Sequence, residues 1–469
     1  QGSGSIGYRR EDPLQQRAYS SESPGIGMRA TPPGPKGEPL FGSSRQYSDD
    51  PLGFVTDVER AYSGIARFDM GPTETYLITD PAAIESVLVG DSGRYRKPEF
   101  QADALGELLG NGLLLSEGES WQKQRKLANP AFSMGRLARF DDRIAGHTES
   151  LLEDWEAGQQ RDIEAEMTRV TIDVITDLML GTDLEDRQIE HLRENLEPIG
   201  QQFEPDPLRF ALPGWVPMPG DREYESAVAA VDGIVDEIIE RRRGTEGDEG
   251  GPMDLLSVLL RAQNEGEQSD EQLRDEVVTM LLAGHDTTAL TLTYTWYLLS
   301  EHPEKRARVH EEADAVEGMP TMDDVREFEY IEWAINEAMR LYPPVYTLFR
   351  EPREDVELLG YEVPAGATLM VPQWAVHRSP THWDDPETYR PERWHPDNSE
   401  GRPRFAYFPF GGGPRHCIGK HLAKLEAQII LAVIAKRFEL AYTGEALQLR
   451  PSLTIHPADG MEMRLEERS

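Results

Sequence analysis

The sequence has a single cysteine in 469 residues, which excludes an intrachain disulfide framework and fits a reducing, cytoplasmic compartment. Long apolar runs are missing as well. Near the C-terminus the longest uninterrupted stretch, 429–435, falls far short of the ~20 residues that cross a bilayer. Positive charge is scarce: 48 Lys and Arg against 85 Asp and Glu leave a formal net charge of -37. Phosphate recognition needs a basic footprint, so nucleic acid is excluded as a partner. The acid is spread along the chain and not gathered in a tail. An excess of this size points to the cytoplasm of a halophilic prokaryote, where dense counterions screen the self-repulsion that weakens a compact state.

What is present suffices for a large core, with 38% hydrophobic residues and 41 Gly. Residues 1–30 are rich in Gly, Ser, Arg and Glu without apolar period and read as a disordered tail, its first five residues having the composition of a cloning remnant. The proline-rich segment 32–39 punctuates the start of the folded part. From Pro51 helix-period patterns follow one another, with strand-like runs at 65–69, 75–79 and 367–371. The Gly- and acid-rich stretch 244–251 reads as a surface loop, so 31–469 forms one mainly α domain with a small β region. The strongest element starts at Ser269, where Ser269 and Gln272 have capping-box spacing, and runs through Val277, Val278, Leu281 and Leu282 to Leu299. Roughly thirty residues give a rod of ~45 Å, which must pass through the core. In its middle, 283–288 combines Gly with adjacent hydroxyls that can open the backbone ladder and kink the rod.

The lone cysteine stands in Phe410-Gly411-Gly412-Gly413-Pro414-Arg415-His416-Cys417-Ile418-Gly419, ahead of a helical pattern over 420–436. A thiolate ligates a metal only when its charge is stabilised, and a Gly-rich loop entering a helix N-terminus offers free N–H groups for this. Sulfur ligation in turn donates electron density to a bound iron.

This segment resembles the F-x-x-G-x-R-x-C-x-G haem loop of the cytochrome P-450 superfamily. Four more motifs agree in order: Trp121 to Arg125 is similar to W-x-x-x-R, Ala283 to Thr288 to A-G-x-D-T-T, Glu337 to Arg340 to E-x-x-R, and Pro391 to Trp394 to P-E-R-W. The resemblance spans essentially the whole folded chain. It implies a long central helix crossing the domain over a haem b (iron protoporphyrin IX) whose axial ligand is the Cys417 thiolate. The implied reaction inserts one oxygen atom from dioxygen into a lipophilic small molecule of the fatty acid, terpenoid or steroid class.

The resemblance also assigns roles. Trp121, Arg125, Arg350 and Arg415 match positions that contact the haem propionates, with His377 as a further contact; Phe410, Gly419 and Ala283 line the cofactor. Glu337, Arg340 and Arg393 match a buried salt-bridge triad that holds the haem loop. Asp286 and Thr287 would relay protons to bound dioxygen, whereas His285 is structural or pocket-lining. Leu113, Leu115, Ala283, Val345, Leu348 and Leu453 occupy pocket positions and are apolar. No G-x-G-x-x-G fingerprint falls on a strand-to-helix turn, so electrons come from an external donor, a ferredoxin with its reductase. That donor would dock near Lys123, Arg125, Lys126, Lys420 and Lys424. Two other readings keep Cys417: a peroxide-driven peroxygenase or isomerase-type member, and a non-catalytic haem-thiolate gas sensor.

Overall fold

A computed structural model describes residues 31–212, 216–244 and 254–468. The tail 1–30 and most of the loop 244–251 lie outside the described residues. The strands are β1 (Ile65–Met70), β2 (Thr73–Ile78), β3 (Tyr95–Arg96), β4 (Gln160–Asp162), β5 (Leu348–Pro352), β6 (Val356–Leu358), β7 (Tyr361–Val363), β8 (Thr368–Val371), β9 (Phe438–Tyr442), β10 (Leu449–Pro451), β11 (Ile455–Pro457) and β12 (Glu462–Glu467). The largest sheet has the order β1-β2-β8-β5-β3. Gly71, at φ +57°, supplies the turn between β1 and β2. Strand β8 is buried along its whole length because it lies inside the sheet, parallel to β2 and antiparallel to β5. A second sheet, β4-β12-β9, alternates along β12, with Met463 and Leu465 buried and Glu462, Arg464 and Glu466 outward.

Helices make the larger share of the core. The long helix, Asp270–Glu301, is buried on all sides over most of its second half, with Leu292, Tyr294 and Trp296 inaccessible. Against it pack the helices Ile163–Ile175, Tyr330–Leu341 and Lys420–Arg437. Gly284 permits a close approach to the first of these, since a Cβ there would stand 2.7 Å from Ile175 Cδ1.

Two local expectations for this helix are corrected. Ser269 does cap it, accepting from the Gln272 N–H at 3.1 Å, but the Gln272 side chain turns instead to Asn111 O and Glu276, so the capping box stays open. The helix also continues as unbroken α-helix through 283–288. The hydroxyls of Thr287, Thr291, Thr293 and Thr295 donate to carbonyls four residues back without displacing the backbone ladder. No helix among the described residues is long and apolar enough to cross a membrane.

Candidate functional site around Cys417

The loop before helix Lys420–Arg437 is shaped by its glycines. Gly413, at φ +67°, lies so close to Leu88 that a Cβ would sit 1.9 Å from its carbonyl oxygen, and at Gly412 a Cβ would meet the Phe405 ring at 2.6 Å. Only glycine fits this double approach. The turn closes when Cys417 N–H donates to Phe410 O at 3.0 Å. Cys417 keeps a solvent-accessible face, while protein packs closely around the rest of its sulfur. Burial by the surrounding protein pushes the thiol pKa up, while backbone N–H groups of Gly419 and Lys420 and the charges of Arg125 and Lys420 pull it down. Burial wins. The loop's N–H groups and these two cations therefore lessen the cost of the thiolate without meeting it. No group of three or more His, Cys, Asp or Glu among the described residues could hold a metal ion. A single sulfur donor would suit a metal that arrives already held by a macrocycle.

Beside the loop, positive charge is in excess. Arg415 pairs with Glu117 at 3.0 Å, donates to Ser116 O at 2.7 Å and lies 4.6 Å over the Trp121 ring. Glu117 also binds Arg353 at 2.7 Å and the Lys97 backbone N–H at 3.3 Å. Burial, then the charges of Arg350 and Arg415, lower the Lys97 pKa to about 7; burial, then Arg415, lowers that of Arg350 to about 10. Arg415 and Arg353 thus share one carboxylate, with Lys97 and Arg350 close enough to feel their charge, and among the described residues the Arg350 side chain bonds only to its neighbour's carbonyl, Phe349 O at 2.7 Å. A dianionic ligand such as haem, with its two propionates, fits this imbalance. Lys97 and Glu117 were missed by sequence reasoning because nothing local distinguishes one charged residue beside a proline or a glycine.

Arg125 is placed differently from the cluster. It donates to His416 O at 3.0 Å and approaches the His416 ring at 3.3 Å, which sets its charge on the Cys417 side. His377 packs against the segment that leads into the loop. Its side chain is fully buried, its Nε2 accepts the Phe408 N–H at 3.0 Å, and its ring packs between Tyr407 and Phe408. It anchors the chain leading into the cysteine loop.

On the long helix Ala283 is exposed, and Thr287 is half-buried with its hydroxyl donating to Ala283 O at 3.3 Å. Asp286 lies 3.6 Å from His456 Nε2. His285 is buried, with Nδ1 2.6 Å from Leu281 O, and burial lowers its pKa. Of the apolar positions, Leu113 is buried and its N–H donates to Glu276 at 3.2 Å; Leu115, Val345 and Leu348 are half-buried, and Leu453 is exposed on the turn between β10 and β11. That turn is tied to the Val345 segment by Ile455 N–H donating to Pro344 O at 3.0 Å. Leu348 reaches within 3.7 Å of a Cβ built on Gly411.

Glu337, Arg340 and Arg393 meet in full burial. Glu337 bonds Arg340 at 2.8 and 3.0 Å, Arg393 at 3.1 Å, the Trp394 indole N–H at 3.1 Å and the Arg390 backbone N–H at 3.1 Å. One carboxylate faces two guanidiniums, and the carbonyls of His377, Pro386 and Thr388 around Arg340 and of Asp384 and Asp385 around Arg393 offset the surplus charge. The network ties helix Tyr330–Leu341 to the segment running into the cysteine loop. A polar cleft of about 480 Å³ lined by His382, Trp383, Arg390 and Arg402 lies behind this triad and away from Cys417.

Comparison with known proteins agrees with this geometry. Residues 32–458 match the family model for cytochrome P-450. The chain is 35% identical over 412 residues to cyclooctat-9-en-7-ol 5-monooxygenase of Streptomyces melanosporofaciens, covering 87% of this chain and 88% of that one. It is 29% identical to the pentalenene oxygenase of Streptomyces avermitilis, over 93% of this chain and 97% of that one. A crystal structure of the cytochrome P450DA haem domain superposes with a TM-score of 0.82 at 28% identity, covering 94% of this chain and 99% of that one. With a family match over most of its length and a monooxygenase relative above 30% identity, the chain belongs to the cytochrome P-450 family and is a haem-thiolate monooxygenase.

Proposed function

We propose that Cys417 is the axial ligand of a haem b and that the protein uses it to oxygenate a lipophilic small molecule, with terpenoids foremost. The observation that carries this is the lone thiol at the end of an N–H-lined loop, beside a cluster of basic side chains in which two arginines share one carboxylate. When bound, the haem supplies the iron at which dioxygen is activated. Arg415, Arg350 and Lys97, with Trp121, bind its propionates; the triad of Glu337, Arg340 and Arg393 keeps the loop in place. Thr287 Oγ1 holds a proton for the dioxygen side, and its neighbour Asp286 renews it. Leu113, Leu115, Ala283, Val345, Leu348 and Leu453 favour an apolar substrate. The names of two bacterial relatives, citing cyclooctat-9-en-7-ol and pentalenene, support the terpenoid choice.

The reading extends to a cytoplasmic enzyme of a halophile, supported by the net charge of -37, and to a ferredoxin with its reductase as donor. For docking, Lys126 and Lys420 are better placed than Lys424, which pairs with Glu332 at 2.8 Å, or Lys123, which is bonded to Glu267 O. The reduced carbon monoxide difference spectrum tests the ligand: the red-shifted band of a thiolate-ligated haem is expected, and its persistence in Cys417→Ser would overturn the assignment. Spectral titration with pentalenene against dodecanoic acid tests the substrate class.

A further inference from the structure

Behind the long helix, on the side of Asp286, three titratable groups from distant parts of the chain stand in a row. His456, on β11, has Nδ1 2.7 Å from Glu164 Oε1 and Nε2 3.6 Å from Asp286 Oδ1. Glu164 belongs to the first turn of helix Ile163–Ile175, and Asp286 to the middle of the long helix. All three side chains are only about a fifth exposed, at 23%, 18% and 27% for His456, Glu164 and Asp286. The imidazole is held at both nitrogens. Its Nε2 is 2.9 Å from Thr454 Oγ1, and β11 is held by Tyr294, whose hydroxyl donates to Ile455 O at 2.8 Å.

The charges facing this row favour an imidazolium. From the long helix come Asp286, the buried neutral His285 and Tyr294; from the β4 side come Glu164 and Asp162; from β10 comes Arg450, opposite His456 in the register. Arg450 is turned outward to Glu197 at 3.4 Å and Glu204 at 3.8 Å, which blunts its repulsion. Burial opposes a charge on His456, but Asp286 and Glu164 overcome it and raise the pKa. Burial raises Glu164 too, against the pull of His456. The imidazole, with a carboxylate on either side, is the group that holds the proton.

We propose that His456, clamped by Glu164, is a positioning residue for Asp286: its imidazolium fixes the carboxylate behind the long helix and sets the pH range in which Asp286 serves Thr287. This rests on the proton-relay reading given above and adds to it residues outside the long helix. As a group raised on folding, His456 keeps its proton below the ordinary imidazole range and loses it as pH rises through the raised value. Asp286 then loses its anchor.

Two measurements on the haem-loaded protein test this. With isotope-labelled histidine, the His456 resonance, assigned by its loss in His456→Gln, should titrate above the ordinary value of about 6.5, and should move down in Glu164→Gln and in Asp286→Asn. With a saturating ferredoxin and reductase couple and cyclooctat-9-en-7-ol as probe, oxygen consumption should fall in a step as pH rises through that same value. His456→Gln should remove the step and lower the rate at pH 6.5 about tenfold at unchanged KM, less than the ~10²–10⁴ lost with a direct proton-transfer group. His456→Lys, whose charge persists to higher pH, should restore most of the rate and flatten the profile. An imidazole titrating at or below about 6.5, or a step that survives His456→Gln, overturns the proposal. If Asp286→Asn leaves oxygen consumption unchanged, the relay reading fails and this inference with it. If Asp286→Asn slows the reaction while His456→Gln does not, the relay stands and this inference alone falls.

Discussion

Replacing Glu337 by Gln exchanges one carboxylate oxygen for an NH₂ and removes the only negative charge, among the described residues, from a buried network. Glu337 and Arg340 are inaccessible, and the carboxylate accepts five hydrogen bonds, three from guanidiniums that have no other acid partner in the network. The amide keeps the size but offers one acceptor oxygen and turns an NH₂ toward Arg340 or Trp394. Breaking a buried ion pair on one side costs about 3–5 kcal/mol. For a chain of this length the unfolding entropy, near 2.1 cal/mol/K per residue, converts that cost into a fall of about 3–5 °C in Tm. The functional effect should be larger than the thermal one, because the loss is concentrated where helix Tyr330–Leu341 holds the segment entering the cysteine loop. The assay is haem absorbance per protein after saturation with haem, alongside calorimetry. Loss of most haem uptake is expected, and Arg340→Lys should behave alike, since one ammonium cannot replace five directed N–H bonds. Full haem uptake in Glu337→Gln with Tm unchanged would refute the reasoning.

Other perturbations have equally definite outcomes. Gly413→Ala places a methyl 1.9 Å from Leu88 O at φ +67°, so haem retention measured by gel filtration should be lost. Gly284→Val collides with Ile175 and should cost about 1–3 kcal/mol in denaturant unfolding, with partial rescue by Ile175→Ala. Burial, then Arg468 and Arg306, lower the His310 pKa to about 4. The unfolded chain then binds more protons, so stability is lost as pH falls from about 6.5, and His310→Gln should flatten that acid limb of the Tm profile. The net charge of -37 predicts that Tm climbs steeply as KCl is raised from the millimolar to the molar range, and a flat dependence would dispose of the halophilic reading.

The sequence made legible whatever is local. The glycines of 411–413 announce a loop that only glycine can follow, and the acid and bases of Glu337, Arg340 and Arg393 lie in motifs whose buried meeting the structure confirms. Strand β8 was readable as a short apolar run because it is buried on both faces, whereas β10 and β11, three residues each, carry too few positions for a period. What escaped was long-range. Glu117 meets Arg353 and Arg415 across more than 230 residues, and His456 meets Glu164 across 292, so no spacing rule reaches them. The kink expected at 283–288 failed because threonine hydroxyls can bond to the preceding turn while leaving its ladder closed. For His377 the sequence could not show that its Nε2 accepts from the Phe408 N–H.

The central claim is that the chain's one thiol binds the haem iron. X-ray absorption at the iron edge of the purified holoprotein addresses it most directly. A single sulfur scatterer is predicted in the first shell of the wild type and its replacement by a lighter atom in Cys417→His. A wild-type shell made only of nitrogen and oxygen would contradict the account.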